Sequence, residues 1–246
     1  MLTRENLITD VQTEVANQLI KNGFVIDVKN EWQKYVKEYS WGYDYCFLPS
    51  VRFRPEHITF SLTIHRRINL IETVWQEWSN LLNVNIADPN EITTFYITEK
   101  NAFPDIIKEP YYDGFGAFLF EISQSGLAKM SEVLDYVFNK KMIPKLLKYT
   151  DLNELNNYIN NEFQFNEQIH SFLNNNGLIY RRMAIAKYAN DSSYEKLCDF
   201  FKSTFEWYIE NGKIEGQEYL ANYPVVFDYV YKKLMNVKPL EDTQLS

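Results

Sequence analysis

The order of apolar and polar residues predicts a helix at the start of the chain. Apolar residues recur at three- and four-residue steps from Leu7 to Ile20, the spacing that places them on one face of a helix. Gly23 and Phe24 follow, and a glycine with an apolar residue behind it is typical of a helix C-terminus. The chain is therefore expected to open with an amphipathic helix of about five turns.

The segment from Val51 to Leu82 holds the clearest strand pattern and the clearest helix pattern. Apolar and polar residues alternate from Ile58 to His65, as in a strand with one buried face. From Ile71 onward the apolar residues, including Trp75 and Trp78, recur at helical spacing instead. We therefore predict a strand followed by a long amphipathic helix.

A second strand is predicted just before this one. Arg52 and Arg54 alternate with apolar neighbours and are followed by Pro55-Glu56-His57, a sequence that can form a turn. The two strands would then pair as a hairpin. In such a hairpin Arg52, Arg54 and His65 would share the polar face.

Three further segments have strand character. Aromatic residues alternate with smaller ones from residue 39 to 47, and the stretches 92–98 and 114–122 are short apolar runs. An aromatic ladder on one face of a strand usually belongs to the core of a sheet. The other interpretation is that its rings, among them Tyr43 and Tyr45, stack on a ligand.

Helical patterns dominate from Ser125 to the end of the chain. Asp151 followed by Glu154 resembles the capping box that begins a helix. Because the strands are grouped before these helices, an α+β fold is favoured over an alternating α/β fold. The prediction is an N-terminal helix and a mostly antiparallel sheet with an inserted long helix, followed by an all-helical C-terminal half.

The same order suggests how the chain is divided. Residues 1–122 are predicted to form the helix and the antiparallel sheet, and residues 123–246 the helical region. No segment rich in proline, glycine or serine separates them. Either one domain or two tightly packed lobes is therefore expected.

The composition is that of a folded protein without broad affinity for nucleic acid. Of the 246 residues 46% are hydrophobic and 16% aromatic, which argues against disorder. The formal net charge is −8 at pH 7. Binding to nucleic acid or to an anionic membrane depends on basic surface, so neither partner is expected.

The cysteines and the hydropathy indicate the compartment. Cys46 and Cys198 are the only cysteines, and both lie in apolar patterns, which favours buried thiols over a disulfide framework. The first residues lack the apolar core of a signal peptide, and no run approaches the roughly 18 apolar residues of a membrane span. We therefore expect a cytoplasmic protein.

Arginines are the only residues with functional chemistry that cluster. Four of the seven in the chain lie within sixteen residues of one another. Guanidinium groups bind carboxylates and phosphates through paired hydrogen bonds, so the cluster is a candidate site for an anionic ligand or an acidic partner surface. The competing interpretation is a solvated strand end or a set of structural ion pairs. The candidate ligand- or partner-binding residues are Arg52, Arg54, His65, Arg66, Arg67, Tyr43 and Tyr45.

Motifs for catalysis or for cofactors are absent from the sequence. The three histidines lack the spacing of zinc motifs, and the chain contains no nucleophile elbow, P-loop or kinase signature. The fragment Gly114-Phe115-Gly116 has no third glycine and precedes its strand, unlike a dinucleotide-binding fingerprint. No metal and no cofactor is expected. An enzymatic activity stays an open alternative, because catalytic groups can come from distant segments.

Three segments carry a resemblance at the level of apolar pattern and helix caps. They are ITFSLTIHRRINLIETVWQEW, MIPKLLKYTDLNELNNYI and YRRMAIAKYANDSSYEKLCDFF. With them the chain resembles a loose class of uncharacterised bacterial α+β proteins. Some similar proteins are inferred to be immunity proteins of polymorphic toxins, which act by binding one toxin. The resemblance brings no catalytic motif with it.

The leading functional prediction is a non-enzymatic, immunity-like protein-binding module. Its partner would be a protein such as a basic toxin domain, because acidic surface complements a basic one and steers association. The contact would use exposed acidic residues or the aromatic and arginine-bearing sheet. The alternative is a protein that binds a small anionic ligand or a phosphate through an Arg/His/Tyr site on the sheet. An enzyme that acts on such a ligand is part of this alternative.

Overall fold

The structure is a computed structural model that describes residues 3–28, 33–82, 92–161, 172–173, 177–211 and 221–245. The predicted α+β class is confirmed, with a helix first, strands next and helices to the C-terminal end. The strands are β1 (Val25–Asp27), β2 (Lys34–Tyr39), β3 (Gly42–Phe47), β4 (Arg52–Arg54), β5 (His57–Phe60), β6 (Thr63–Ile68), β7 (Phe95–Thr98) and β8 (Phe118–Glu121). The α-helices are α1 (Arg4–Lys21), α2 (Asn69–Glu72), α3 (Glu99–Ala102), α4 (Gln124–Val137), α5 (Ile143–Lys148), α6 (Leu152–Asn160), α7 (Leu178–Tyr188), α8 (Tyr194–Asn211) and α9 (Tyr223–Met235).

By its internal contacts the chain divides into two units, each assembled from several stretches. The first unit comprises Met1–Tyr39, Tyr43–Arg66 and Tyr96–Leu147, and the second comprises Ser40–Gly42, Arg67–Phe95 and Lys148–Ser246. The sequence-based regions 1–122 and 123–246 describe the order of elements along the chain. That these two regions are domains stays a prediction.

Helix α1 forms where the sequence predicted it. The Thr3 hydroxyl oxygen accepts a hydrogen bond from the Asn6 amide at 3.2 Å and so satisfies a free donor of the first turn. Leu7, Val11 and Val15 on the apolar stripe are at most 1% exposed. The predicted stripe is therefore the core face of this helix up to Leu19, whereas its last residue, Ile20, is 57% exposed.

The strands form two sheets. One has five strands in the order β1-β2-β3-β6-β7, and the other has three in the order β4-β5-β8. Strands β1 and β2 pair antiparallel, and β5 pairs antiparallel with both β4 and β8. The predicted hairpin is present as β4 and β5, with Arg52 opposite Thr59 and Arg54 opposite His57.

The predicted strand from Ile58 to His65 is interrupted, which corrects the expected position of His65. It ends at Phe60 and resumes as β6 at Thr63, in the other sheet. The amide of Leu62 in the gap donates to the buried Glu99 carboxylate at 3.2 Å instead of joining a strand ladder. His65 therefore lies on a different sheet from Arg52 and Arg54 and does not share their polar face.

The inserted helical segment is also interrupted instead of forming one long helix. It consists of the short helix α2 and a 3-10 helix, Gln76–Leu82. Between them the Trp75 amide bonds to the Glu72 carbonyl three residues back, and the Trp75 indole nitrogen donates to the Glu72 carboxylate at 3.2 Å. The tighter 3-10 spacing brings residues three apart into line, as Glu72 and Trp75 are.

A buried ion pair crosses one face of the five-stranded sheet. Arg66 donates from Nε to Asp44 Oδ1 at 2.6 Å and from Nη2 to Oδ2 at 2.8 Å, and both side chains are fully buried. A third bond runs from Arg66 Nη1 to the Leu146 carbonyl at 2.6 Å, and the Tyr39 hydroxyl donates to Asp44 Oδ2 at 2.8 Å. Burial and the neighbouring Asp44 carboxylate raise the pKa of Tyr39 far above its usual value. The phenol therefore stays a donor.

The second unit contains a comparable buried network around Glu72. The carboxylate accepts two bonds from Arg181, at 2.8 and 2.7 Å, and one from Thr94 at 2.7 Å. The Arg181 guanidinium also lies 4.8 Å from the centre of the Trp75 ring. Gly177, with a φ of +75°, precedes α7, and a Cβ there would lie 2.6 Å from the Trp75 ring. Only glycine suits that position.

Breaking the Arg66–Asp44 pair should destabilise the protein strongly. We expect Asp44→Ala to lower the free energy of unfolding by about 3–5 kcal/mol, because it leaves a buried guanidinium without its counter-charge. The double variant Asp44→Val/Arg66→Met removes both charges, so its free energy of unfolding should fall by less. Urea unfolding followed by circular dichroism measures both.

Asp135→Ala is the matched control, because it removes a carboxylate from an exposed pair with Lys21. Its unfolding midpoint should stay near that of the unmodified protein. A single Asp44 variant as stable as this control would contradict the role assigned to the buried pair.

Candidate functional site

The seven residues predicted as a site fall into three separate groups. Arg66 and Arg67 are buried, at 0% and 3% exposure. Tyr43, Tyr45 and His65 lie together on the five-stranded sheet, and Arg52 and Arg54 lie on the exposed strand β4 of the three-stranded sheet.

Arg66 and Arg67 are not part of a surface site, which corrects their inclusion in the arginine cluster. Arg66 is held by Asp44. Arg67 donates from Nε to Asn69 at 2.8 Å, from Nη1 to the Ile92 carbonyl at 2.8 Å and from Nη2 to Gln76 at 3.0 Å. Buried guanidinium groups need such partners for their donors. Both side chains are therefore structural.

Tyr43, Tyr45 and His65 form a cluster with Lys34 on the sheet face opposite to Asp44. The His65 and Tyr45 rings are parallel, with centroids 4.6 Å apart, and Lys34 Nζ lies 4.7 Å from the centre of the Tyr45 ring. Burial, and then the charge of Lys34, lower the pKa of His65 to about 4. The imidazole is therefore neutral at pH 7.

This cluster uses its ring faces internally. Tyr45 and Lys34 are each only 8% exposed, so little of their surface is left for a ligand to stack on. The contacts are of the kinds that stabilise sheets, namely aromatic stacking and cation–π pairing. The predicted role in ligand stacking therefore finds little support at Tyr45.

Arg54 lies beside an exposed aromatic residue, and Arg52 lies on the same strand. They are two residues apart on β4 and so point to the same face, about 7 Å apart along the strand. The Arg54 side chain is 43% exposed, donates to Asp113 at 2.7 Å and lies 5.7 Å from the Phe115 ring. Phe115 itself is 91% exposed. We call Arg52, Arg54 and Phe115 the arginine–phenylalanine surface.

A hydrogen-bonded turn holds Phe115 in this exposed position. Asp113 Oδ1 accepts from the amides of Phe115 and Ala117, at 3.0 and 2.9 Å, and the Asp113 amide donates to the Ala117 carbonyl at 2.8 Å. Gly116 adopts a φ of +93°, which favours glycine. The phenyl group therefore stands on an ordered turn that Arg54 braces through Asp113.

An open cleft of about 320 Å³ begins next to this surface. His57, the cross-strand partner of Arg54, lies at its edge, and Glu121, the cross-strand partner of His57, forms part of its wall. Helix α4 contributes Ser125 and Lys129. Charged, polar and apolar groups thus line one concavity.

The buried Glu99 side chain supports the loop that carries Phe115. It is 1% exposed and accepts bonds from the Leu62 amide at 3.2 Å and from the Tyr112 hydroxyl at 3.4 Å. Tyr112 directly precedes Asp113. Burial raises the pKa of Glu99 to about 7, so its charge changes near neutral pH.

Sequence reasoning missed Phe115, Asp113 and His57. Residues 114–122 were predicted as a strand that begins with a tight turn at its glycines, whereas β8 begins only at Phe118 and Phe115 lies in the turn before it. His57 was interpreted as part of a turn, whereas it is the first residue of β5.

Comparisons of the chain with protein-family models, with curated proteins and with solved structures found no match. The resemblance to the uncharacterised bacterial class stays a prediction. Within the residues described, no three His, Cys, Asp or Glu side chains lie close enough to hold a metal ion. Over the same residues, none of the helices has the length and apolar content needed to cross a membrane.

The raised pKa of Glu99 predicts how the stability of the fold changes with pH. The folded chain keeps a proton on Glu99 up to about pH 7, whereas the unfolded chain loses it near the ordinary value of 4.5. Stability is therefore lost as the pH rises between these values, by about 3 kcal/mol from this group. We expect Glu99→Gln to gain stability relative to the unmodified protein across this range, as measured by urea unfolding at several pH values.

The control is Glu109→Gln, which removes a carboxyl group that is only half-buried. It measures the general effect of removing one acidic group. A difference between Glu99→Gln and the unmodified protein that does not change with pH would refute the assigned titration.

The lowered pKa of His65 is directly measurable. In a proton–carbon NMR titration we expect the His65 imidazole resonances to move with a midpoint near pH 4. Removing the charge with Lys34→Met should raise that midpoint only in part, since burial is the larger cause. His57 serves as the internal comparison in the same spectra, and a His65 midpoint near 6.5 would contradict the described environment.

Proposed function

We propose that this protein is a non-enzymatic binding module whose contact with a partner protein is the arginine–phenylalanine surface. The observation that carries the proposal is the 91% exposure of Phe115 on an ordered turn. Covering this ring with a partner would remove apolar area from water and so favour association. Because the turn is already ordered, binding would cost little conformational entropy there.

The residue types of this surface support the same role. Arginine and aromatic side chains are enriched at the centres of interfaces and contribute most of the binding free energy. Arg52 is exposed and makes no ion pair with any described residue. Arg54 still has donors besides the one that bonds to Asp113. Together they suit a partner that presents carboxylates around an apolar recess for Phe115.

The immunity-like interpretation is the second version of this proposal. The net charge of −8 favours a basic partner such as a toxin domain, because opposite charges steer association. That partner would contact acidic residues, whereas the surface described above is cationic. The two versions therefore differ in the sign of the partner's charge.

The small-ligand alternative receives less support from the geometry. Arg52 and Arg54 lie on an exposed strand, whereas small ligands are usually enclosed in concave sites. A phosphate held there would leave Phe115 uncovered. A protein partner accounts for both features.

The cytoplasm is the compartment that we propose for this function. Cys46 and Cys198 are both free and buried. Free thiols fit a reducing compartment. Burial also raises the pKa of each thiol to about 12, which makes oxidation slow.

The proposal is tested by quantitative capture of partners from the native host, followed by titration of any partner found. We expect Phe115→Ala to weaken that complex by about thirtyfold or more, as for an aromatic hot spot. Arg52→Glu should weaken it by about tenfold and reduce its salt dependence. Arg52 is preferred to Arg54 for this test, because Arg54 also braces the turn through Asp113.

Two variants serve as matched controls. Trp207→Ala removes another exposed aromatic ring, and Lys196→Glu reverses another exposed charge. Both should bind like the unmodified protein. A partner retained fully by Phe115→Ala and Arg52→Glu would show that its contact lies elsewhere, and tighter binding by Arg52→Glu would favour the basic partner.

A further inference from the structure

The open cleft next to β8 has the dimensions of a small-molecule site. Its volume is about 320 Å³, near the lower end of the range for ligand pockets, about 300 to 1,000 Å³. Strand β8 supplies one wall through Leu119 and Glu121, and the first turns of α4 supply another through Ser125 and Lys129.

Two opposite charges line this cleft without neutralising each other. Glu121 is exposed and forms no ion pair within the described part of the chain. Lys129 pairs instead with Glu132, at 3.2 Å, in a contact that is exposed to water. A carboxylate and an ammonium group that line one concavity and do not pair with each other complement a ligand that carries both charges itself.

The backbone fixes the junction between the two elements that carry these charges. Helix α4 begins immediately after β8, and the Ser123 hydroxyl accepts a bond from the Gly126 amide at 3.0 Å. Gly126 packs so closely that a Cβ would lie 2.2 Å from the Glu121 carbonyl oxygen. The end of the strand and the start of the helix therefore form a rigid corner, with Lys129 one turn further along.

The start of helix α4 favours the binding of a carboxylate next to it. Ser125 lies in the first turn of α4 and lines the cleft, with its hydroxyl 3.0 Å from that of Ser123. Amide donors of a first helical turn attract negative charge, and Lys129 adds a full positive charge nearby. Strand β8 carries the negative charge of Glu121 on the adjoining wall.

The remainder of the lining is apolar. Pro110, Leu119 and the rings of Tyr111 and Phe120 form it. The two rings are nearly parallel, at 5° and with centroids 6.4 Å apart. This wall suits a hydrocarbon side chain of a few carbon atoms, which would gain free energy by leaving water.

We propose that the cleft binds a free α-amino acid with an apolar side chain. Its carboxylate lies toward Lys129 and the start of α4, its ammonium group toward Glu121, and its side chain against Leu119 and Tyr111. We expect weak binding, with a dissociation constant of about 1 mM. This site is separate from the proposed protein-binding role, and Phe115→Ala should leave it unchanged.

The test uses L-leucine and two analogues, each lacking one of its charges. In an NMR titration of the full chain, L-leucine should shift the amide resonances of Leu119, Ser125 and Gly126. The analogue 4-methylpentanoate lacks the ammonium group and isoamylamine lacks the carboxylate. Each should bind at least about tenfold more weakly, the equivalent of one lost charge pair.

Variants assign each charge to its wall. In Glu121→Gln the preference for L-leucine over 4-methylpentanoate should disappear, and in Lys129→Met the preference over isoamylamine should disappear. Lys196→Met, outside the cleft, is the control and should keep both preferences. Variant spectra that match the unmodified protein elsewhere establish that the fold is intact.

The proposal is overturned if L-leucine causes no shifts at about 10 mM, if both analogues bind as well as L-leucine, or if the shifts lie outside the cleft. Equal binding of L-leucine and its analogues would identify a merely apolar recess. Loss of partner capture in Phe115→Ala with leucine binding retained would support the two sites independently.

Discussion

The need to satisfy buried guanidinium groups governs much of this structure. Arg66 and Arg181 are fully buried, and each is paired with a carboxylate through two hydrogen bonds. Taking such charges out of water is costly unless every donor finds an acceptor. Asp44 and Glu72 meet this requirement, and their own positions then fix β3 and α2. Each of the two units thus contains one such buried ion pair among apolar side chains.

The same requirement decides which arginines are available for function. Arg67 and Arg182 are buried as well, and the Asn160 side chain accepts from Arg182 at 2.8 Å. Arg52 and Arg54 are exposed on β4, two positions apart and therefore on the same face. The four arginines that cluster in the sequence thus divide into two buried ones, Arg66 and Arg67, and two exposed ones.

Periodicity was sufficient to predict the class of the fold, helix α1 and the β4–β5 hairpin, because these depend on local patterns. It was not sufficient for the break at Leu62 or for the division of the helix after Ile68. Both breaks lie beside buried carboxylates, Glu99 and Glu72, that also bond to partners far away in sequence; Glu72 and Arg181, for example, are 109 positions apart. Alternation along one chain cannot reveal such contacts. For the same reason, only part of the candidate site was predicted. Arg52 and Arg54 are exposed as expected. The groups that accept hydrogen bonds from the buried Arg66 and Arg67 could not be inferred from the sequence.

The carboxyl group of Glu99 links the fold to the proton concentration of its surroundings. With a pKa of about 7 in the folded chain and an ordinary value of 4.5, unfolding near pH 6 releases close to one proton from this side chain. The buffer takes up that proton, so the heat of unfolding varies with the ionisation enthalpy of the buffer. A single buried acid thus makes the calorimetry of this protein depend on the solution in which it is dissolved.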